Sequence, residues 1–153
     1  MPFARHILVP TDFSQASRLA VDAAAVLARQ IGAKVTLVHV YDPGGLQPPA
    51  AIGWTDVQQK SLEADVRRSI EEGFEQLVRD HLSGVEVADR VLVHDPSPSH
   101  GICTYAERIG ADLIVIGTHG RTGLKHLLIG SVAERVVRHA SVPVLTLRST
   151  AED

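Results

Sequence analysis

Short apolar runs of strand length alternate along this chain with stretches whose apolar residues recur every three or four positions. His6 to Pro10 (HILVP) is the first such run and reads as a strand. From Ser14 to Ile31 the apolar positions Ala16, Leu19, Ala20, Ala23, Leu27 and Ile31 share one face of a helix, because a 3.6-residue repeat stacks i with i+3 and i+4. Gly32 follows as a left-handed C-cap, and KVTLVHV (34–40) as a second strand. Both strands are almost continuously apolar, the pattern of a parallel sheet covered on both faces.

The pattern then stops. Tyr41 to about Asp56 (YDPGGLQPPAAIGWTD) holds three prolines and three glycines and has no period, so it reads as a long loop, a kind of segment that is usually functional or mobile. A second helix is expected from about Val57 to Leu82, with Leu62, Val66, Ile70, Phe74 and Leu77 on one face and Gly84 ending it. VEVADRVLV (85–93) is the third strand, after which HDPSPS breaks the chain. Ile102, Cys103, Ala106 and Ile109 mark a third helix closed by Gly110. ADLIVIG (111–117) is the fourth strand, VAERVVRHA (132–140) the fourth helix and VPVLTLR (142–148) the last strand. This βαβαβαβαβ order with right-handed crossovers predicts an α/β fold, an open doubly wound five-stranded parallel sheet with four helices and strand order 3-2-1-4-5. Such sheets take ligands beyond the carboxyl ends of their strands where the order reverses. That directs attention to Pro10-Thr11-Asp12 after the first strand and Gly117-Thr118-His119-Gly120 after the fourth.

Composition narrows the class without naming a function. The 153 residues suit a single domain spanning 1–153, and 44% hydrophobic with 22% charged residues is ordinary for a globular protein. The apolar runs are far shorter than the roughly twenty residues of a membrane span, and the start lacks the apolar stretch of a signal peptide, so no membrane association and a cytoplasmic location are expected. One cysteine, Cys103, excludes an internal disulfide and a cysteine-based zinc site, and reads as a small core residue. A net charge of −3 argues against a nucleic-acid partner. Between Gly117 and Arg148, however, five cations (Arg121, Lys125, Arg135, Arg138, Arg148) face one anion, Glu134. Helix C-terminal charge explains Arg138 and His139 but leaves Arg121 and Lys125, which sit among glycines.

Those glycines belong to GTHGRTGLKHLLIGSV (117–132). A residue without Cβ lets the main chain approach a phosphate and adopt positive φ. Gly130-Ser131 opens a helix, where unpaired N–H groups and the dipole attract an anion, and Ser131 either caps that helix or offers its hydroxyl to a phosphate. Neither a Walker A loop nor a G-x-G-x-x-G fingerprint is present. The spacing Gly-x-x-Gly-x9-Gly-Ser, as Gly117, Gly120, Gly130 and Ser131, resembles the ATP-binding signature of the universal stress protein family. HILVPTDFS, LVHV, ADLIVIGTHGRTGL and GSVAERVVRHASVPVL carry the resemblance over nearly the whole chain. Asp95 stands where a glycine is expected, and the 41–56 insert is particular to this chain.

The resemblance implies a Rossmann-like sheet of the adenine nucleotide alpha hydrolase type with ATP as ligand, accompanied by Mg2+ or Mn2+ if a metal is bound. Asp12 and the main chain at Val40 would hold the adenine, and Pro10, Thr11 and Gly117 would line the ribose. Gly120, Gly130, Ser131 and Val132 would receive the phosphates, with the charge of Arg121 reaching the outer ones. The preference for adenine rests on the family alone. The resemblance, with the exposed backbone of an edge strand, also implies a homodimer through Val142 to Arg148; Pro143 is compatible with an edge.

Three functions compete. The first is a regulatory ATP-binding module in stress response, with at most slow hydrolysis and no catalytic residue assigned. The second is an ATPase or autophosphorylating phosphotransferase, for which Asp12 offers a general base or a magnesium ligand but has no second carboxylate beside it in the sequence. The third is a nucleotide-free dimeric adaptor, against which the intact glycines count. His94, Asp95 and His100, and His119 with His126, lack metal-ligand spacing and read as surface groups. Trp54 is either a lid or a loop anchor.

Overall fold

A computed structural model describes residues 3–46, 53, 55–118 and 129–148. Strands β1 (His6–Pro10), β2 (Lys34–Tyr41), β3 (Val87–His94), β4 (Leu113–Gly117) and β5 (Val144–Leu147) alternate with helices α1 (Gln15–Ile31), α2 (Asp56–His81), α3 (Pro98–Ile109) and α4 (Ser131–His139). The strands form one sheet in the order β3-β2-β1-β4-β5, parallel at every pairing, as expected. From β1 the chain winds outward through β2 to β3, then crosses back to β4 and β5, so the order reverses between β1 and β4.

The central strands show why their sequence lacks a two-residue alternation. Ile7 and Val9 of β1, with Leu113 and Val115 of β4, pack beneath α1 and α2. Leu8, Ile114 and Ile116 point the other way, to a second core under α3 and α4. Each face needs apolar side chains, so both parities are apolar. At the lower end of the sheet, where the strands begin, His6 Nε2 shares a 2.8 Å hydrogen bond with Thr36 Oγ1 in buried surroundings. Burial, reinforced by the Lys34 charge, holds the His6 pKa below its ordinary 6.5.

Helix ends follow local chemistry. The Ser14 side chain accepts the Ser17 N–H at the start of α1, and Gly32, at φ 70°, closes it with an N–H bond to Ala28 O. Thr55 and Gln58 form a reciprocal capping box before α2. On α2, Ile70, Phe74 and Leu77 are buried, whereas Leu62 and Val66 are only half-buried. Leu82, rather than Gly84, takes the C-cap of α2; Gly84 turns the chain two residues later at φ 72°. In the long loop, Pro43–Leu46 forms a short 3-10 turn, with Asp42 Oδ1 accepting the Gly44 N–H at 2.8 Å. Residues 47–52 and Trp54 of that loop, with the expectation of a lid or anchor at Trp54, fall outside the described residues. β5 is the sheet edge, as predicted, but begins at Val144 and ends at Leu147.

Candidate functional site

Beyond the upper ends of β1, β2 and β4 lies an open pocket of about 300 Å³. Its β1 wall is the turn from Pro10 into α1. The Thr11 N–H donates to Val38 O at 2.8 Å, carrying the ladder one residue past the strand. Thr11 Oγ1 accepts the Phe13 N–H at 3.0 Å and lies 3.1 Å from Ser17 Oγ. The Ser17 hydroxyl donates to Ser14 O at 2.9 Å, which assigns Thr11 as the donor to Ser17. Asp12 Oδ1 accepts the Ser14 N–H at 3.0 Å and so shapes the turn; Ser14, and not Asp12, caps α1. From β2, His39 Nδ1 donates to Thr11 O at 2.7 Å.

The opposite wall joins β4 to α4. The Thr118 N–H donates to Leu147 O at 2.9 Å, and the Gly130 N–H donates to Thr118 O, which closes the base of the intervening loop. Gly130 is the N-cap of α4, at φ −68° and ψ 153°, and as a glycine it makes no side-chain capping bond. Ser131 is therefore the first helical residue and does not act as the cap. The first N–H groups of any helix lack intrahelical partners, and at α4 they adjoin the pocket through Gly130, Ser131 and Val132.

Two glycines have uses other than those expected. A Cβ on Gly117 would lie 2.6 Å from Ala16 O and 2.9 Å from Ala16 C, so this glycine lets α1 sit against the end of β4. Neither Gly117 nor Gly130 has positive φ. A second close approach is at Gly101, where a Cβ would lie 2.8 Å from Val40 Cγ1, which brings α3 against the pocket's β2 wall.

Pro10, Thr11, Asp12 and Val40 line the pocket from one side, and Gly117, Gly130, Ser131 and Val132 from the other. Gly120 and Arg121 fall outside the described residues, as do His119, Lys125 and His126. Sequence reasoning missed His39, Ser17, Pro98 and Ile102, all of which line the same space; Thr118, at the fourth-strand end it did mark, lines it too. Pro98 and Ile102 were findable by the rule that sends attention to strand ends, had it been extended to the turn after the third strand. His39 and Ser17 carried no such signal.

The remaining singled-out residues have structural uses. Asp95 Oδ1 accepts the Ser97 N–H at 2.7 Å and its Oδ2 accepts from His100 Nδ1 at 2.6 Å. The His100 bond, more than the Ser97 one, holds the Asp95 carboxyl below its usual pKa. His94 stacks edge-on against Tyr41, with ring centroids 5.2 Å apart. Among the described residues no three His, Cys, Asp or Glu side chains group to hold a metal ion. Cys103 is buried in the core under α3, where desolvation pushes its thiol pKa up. Arg138 pairs with Glu134 one turn earlier on α4, which accounts for part of the local positive charge.

Residues 4–148 match the family model described as the universal stress protein family. The universal stress protein MJ0531 of Methanocaldococcus jannaschii is 33% identical over 149 residues, covering 97% of this chain and 85% of the relative. The solved structure of protein MJ0577 from the same organism superposes with a TM-score of 0.81 at 27% identity, over 99% of this chain and 100% of that one. A universal stress protein solved in complex with cAMP shares the fold at a TM-score of 0.66 and 23% identity, over 96% and 98% of the two chains. With its five strands in the order 3-2-1-4-5 and a family match from the first strand to the last, the chain belongs to the universal stress protein family.

Proposed function

We propose that this protein is an ATP-binding regulatory module of the stress response, in which occupancy of the pocket matters more than turnover. The observation that carries the reading is the convergence of an α-helix N-terminus without a side-chain cap and the carboxylate-bearing turn of β1 on one cavity of about 300 Å³. A helix start of this kind attracts phosphate through N–H groups and the dipole. In the proposed pose the phosphates lie at Gly130, Ser131 and Val132, with Gly120 and Arg121 contributing from the adjoining loop. The ribose rests by Pro10, Thr11 and Gly117, and the adenine by Asp12 and the Val40 main chain. The choice of adenine follows the family resemblance.

Asp12 is the one carboxylate among the described lining residues. A magnesium or manganese ion, which keeps waters and takes one or two carboxylates plus phosphates, would fit here as the nucleotide's companion. The described lining residues offer no second carboxylate for an acid/base pair, and that favours binding with at most slow hydrolysis. We place the protein in the cytoplasm; no described helix is long and apolar enough to cross a membrane.

Titration calorimetry with ATP and magnesium tests the reading: saturable binding at micromolar nucleotide is expected, and no heat at high micromolar ATP rejects it. Phosphate release above background that vanishes on Asp12→Ala would move the reading to an ATPase. We also propose a homodimer through the β5 edge, where Leu145 is 41% exposed; Val137 of α4 is likewise exposed, at 49%. Light scattering at micromolar concentration should give twice the chain mass; a single-chain mass rejects the dimer.

A further inference from the structure

Phe13 lies outside the pocket, yet it sits between Asp12 and the Ser14 N–H that the Asp12 carboxylate accepts. Its backbone is left-handed, at φ 64°, and it is the one non-glycine residue with positive φ among those described. A bulky side chain is disfavoured there, so the surroundings must hold it. Its N–H is bound to Thr11 Oγ1 at 3.0 Å. Its ring lies between two others, 5.1 Å from His39 and 5.5 Å, edge-on, from Phe74 of α2. His39 in turn grips the Thr11 carbonyl at 2.7 Å. Gly73 completes the seat: a Cβ at this position would lie 2.7 Å from Phe13 Cε1 and 3.0 Å from Cδ1.

We infer that Phe13 is a positioning residue for the Asp12 wall of the pocket, held in its strained conformation by α2 through Gly73 and Phe74. The inference rests on the nucleotide reading above for its functional meaning, but its structural content is independent. The ring is the physical link. Moving α2 at Gly73 shifts the ring, which shifts the three peptides joining Thr11 to Ser14 and so redirects Asp12. His39 transmits the same displacement, because it touches the ring on one side and the Thr11 carbonyl on the other. α2 thereby influences a pocket that, among its described residues, it does not line.

Gly73→Ala tests this without altering any described lining residue. Alanine favours the helix over glycine, so α2 itself is not weakened, while the new methyl group drives into the Phe13 ring. ATP affinity measured by calorimetry should fall by about tenfold, the scale of a misplaced binding group, while unfolding in urea stays cooperative. Phe13→Leu, which lacks the outer ring atoms nearest Gly73, should restore much of that loss when combined with Gly73→Ala. Phe13→Gly should relax the backbone yet also weaken ATP binding, because the anchor is gone. A merely structural Phe13 predicts changed stability with affinity within about twofold of the parent, and that result overturns the inference. Amide exchange without nucleotide gives a second readout: the Phe13 and Ser14 amides should exchange about tenfold faster in Gly73→Ala. Unchanged exchange at both amides overturns the coupling whether or not the parent binds ATP. Absence of ATP binding by the parent, with faster exchange in the variant, rejects the nucleotide reading and leaves the coupling supported.

Discussion

On the Asp12 side of the pocket the polar groups of the turn are already engaged inside the protein, with Thr11, Phe13, Ser14, Ser17 and His39 joined in one hydrogen-bonded set. On the Gly130 side, α4 starts without a side-chain cap and its first N–H groups adjoin the cavity. The two walls face each other across the point where strand order reverses, yet one is built from engaged side chains and the other from a helix start whose cap is a glycine. A prebuilt wall suits recognition by shape, because its geometry does not depend on the ligand. A helix start whose cap has no side chain suits an anion, which offers acceptors to the first N–H groups. On the proposed reading these are the base end and the phosphate end of one nucleotide.

The largest expected effect tests whether Gly117 belongs to either wall. Its missing Cβ makes room for the Ala16 backbone, which has no flexible end to give way. Gly117→Val should therefore destabilise the protein by about 3 kcal/mol, the scale of overpacking, in urea unfolding. Full stability with lost ATP binding would show instead that the glycine serves the ligand.

Ser131→Pro probes the open wall more selectively. Proline is favoured at the first helical position, and Gly130 already has the extended conformation that a following proline requires. The substitution deletes one N–H and one hydroxyl while leaving the helix intact. ATP affinity should fall between about tenfold and about a hundredfold, as for a hydrogen bond to a charged group, with the unfolding midpoint little changed. Retained affinity would remove the phosphates from this end of α4.

Asp12→Asn acts on the closed wall and keeps an acceptor for the Ser14 N–H. The turn should survive, and ATP affinity should fall by about fivefold, equivalent to about 1 kcal/mol. A loss of stability comparable to Gly117→Val would mean that the charge holds the turn itself.

The smallest effect lies at neither wall. Because His6 has its pKa lowered in the folded state, the unfolded chain binds a proton more readily there. Its contribution to stability is complete above the unfolded value near 6.5 and is lost as pH falls through the lower folded value. His6→Gln should flatten the dependence of stability on pH between about 7.5 and 5.5. An unchanged slope would show that His6 is not a source of acid sensitivity.

Several parts of this protein are legible in its sequence alone. The α1 pattern and Gly32 marked a helix and its end because both depend on neighbours within one turn. Gly130-Ser131 marked the start of α4, and of the two roles open to Ser131 the structure removes the cap: the glycine is the cap and the serine is already helical. Local chemistry allows either register, and the Gly130 N–H bond to Thr118 O is what the fold supplies to select one. Leu82 and Gly84 show the same limit at the far end of α2. His39 was invisible as a pocket residue because it sits inside an apolar strand, where nothing local distinguishes a wall from a core position.

The sequence by itself determined the order of strands and helices, the doubly wound class, the edge position of the last strand, and the strand ends that open onto the pocket. These follow from periodicity and crossover handedness, which act over short distances or by general rule. Only the tertiary structure decided why Gly117 is a glycine, that Phe13 is held left-handed against α2, and that His39 grips the Thr11 carbonyl. Each joins residues from different elements, and the distances between elements are set by the packing of the whole core.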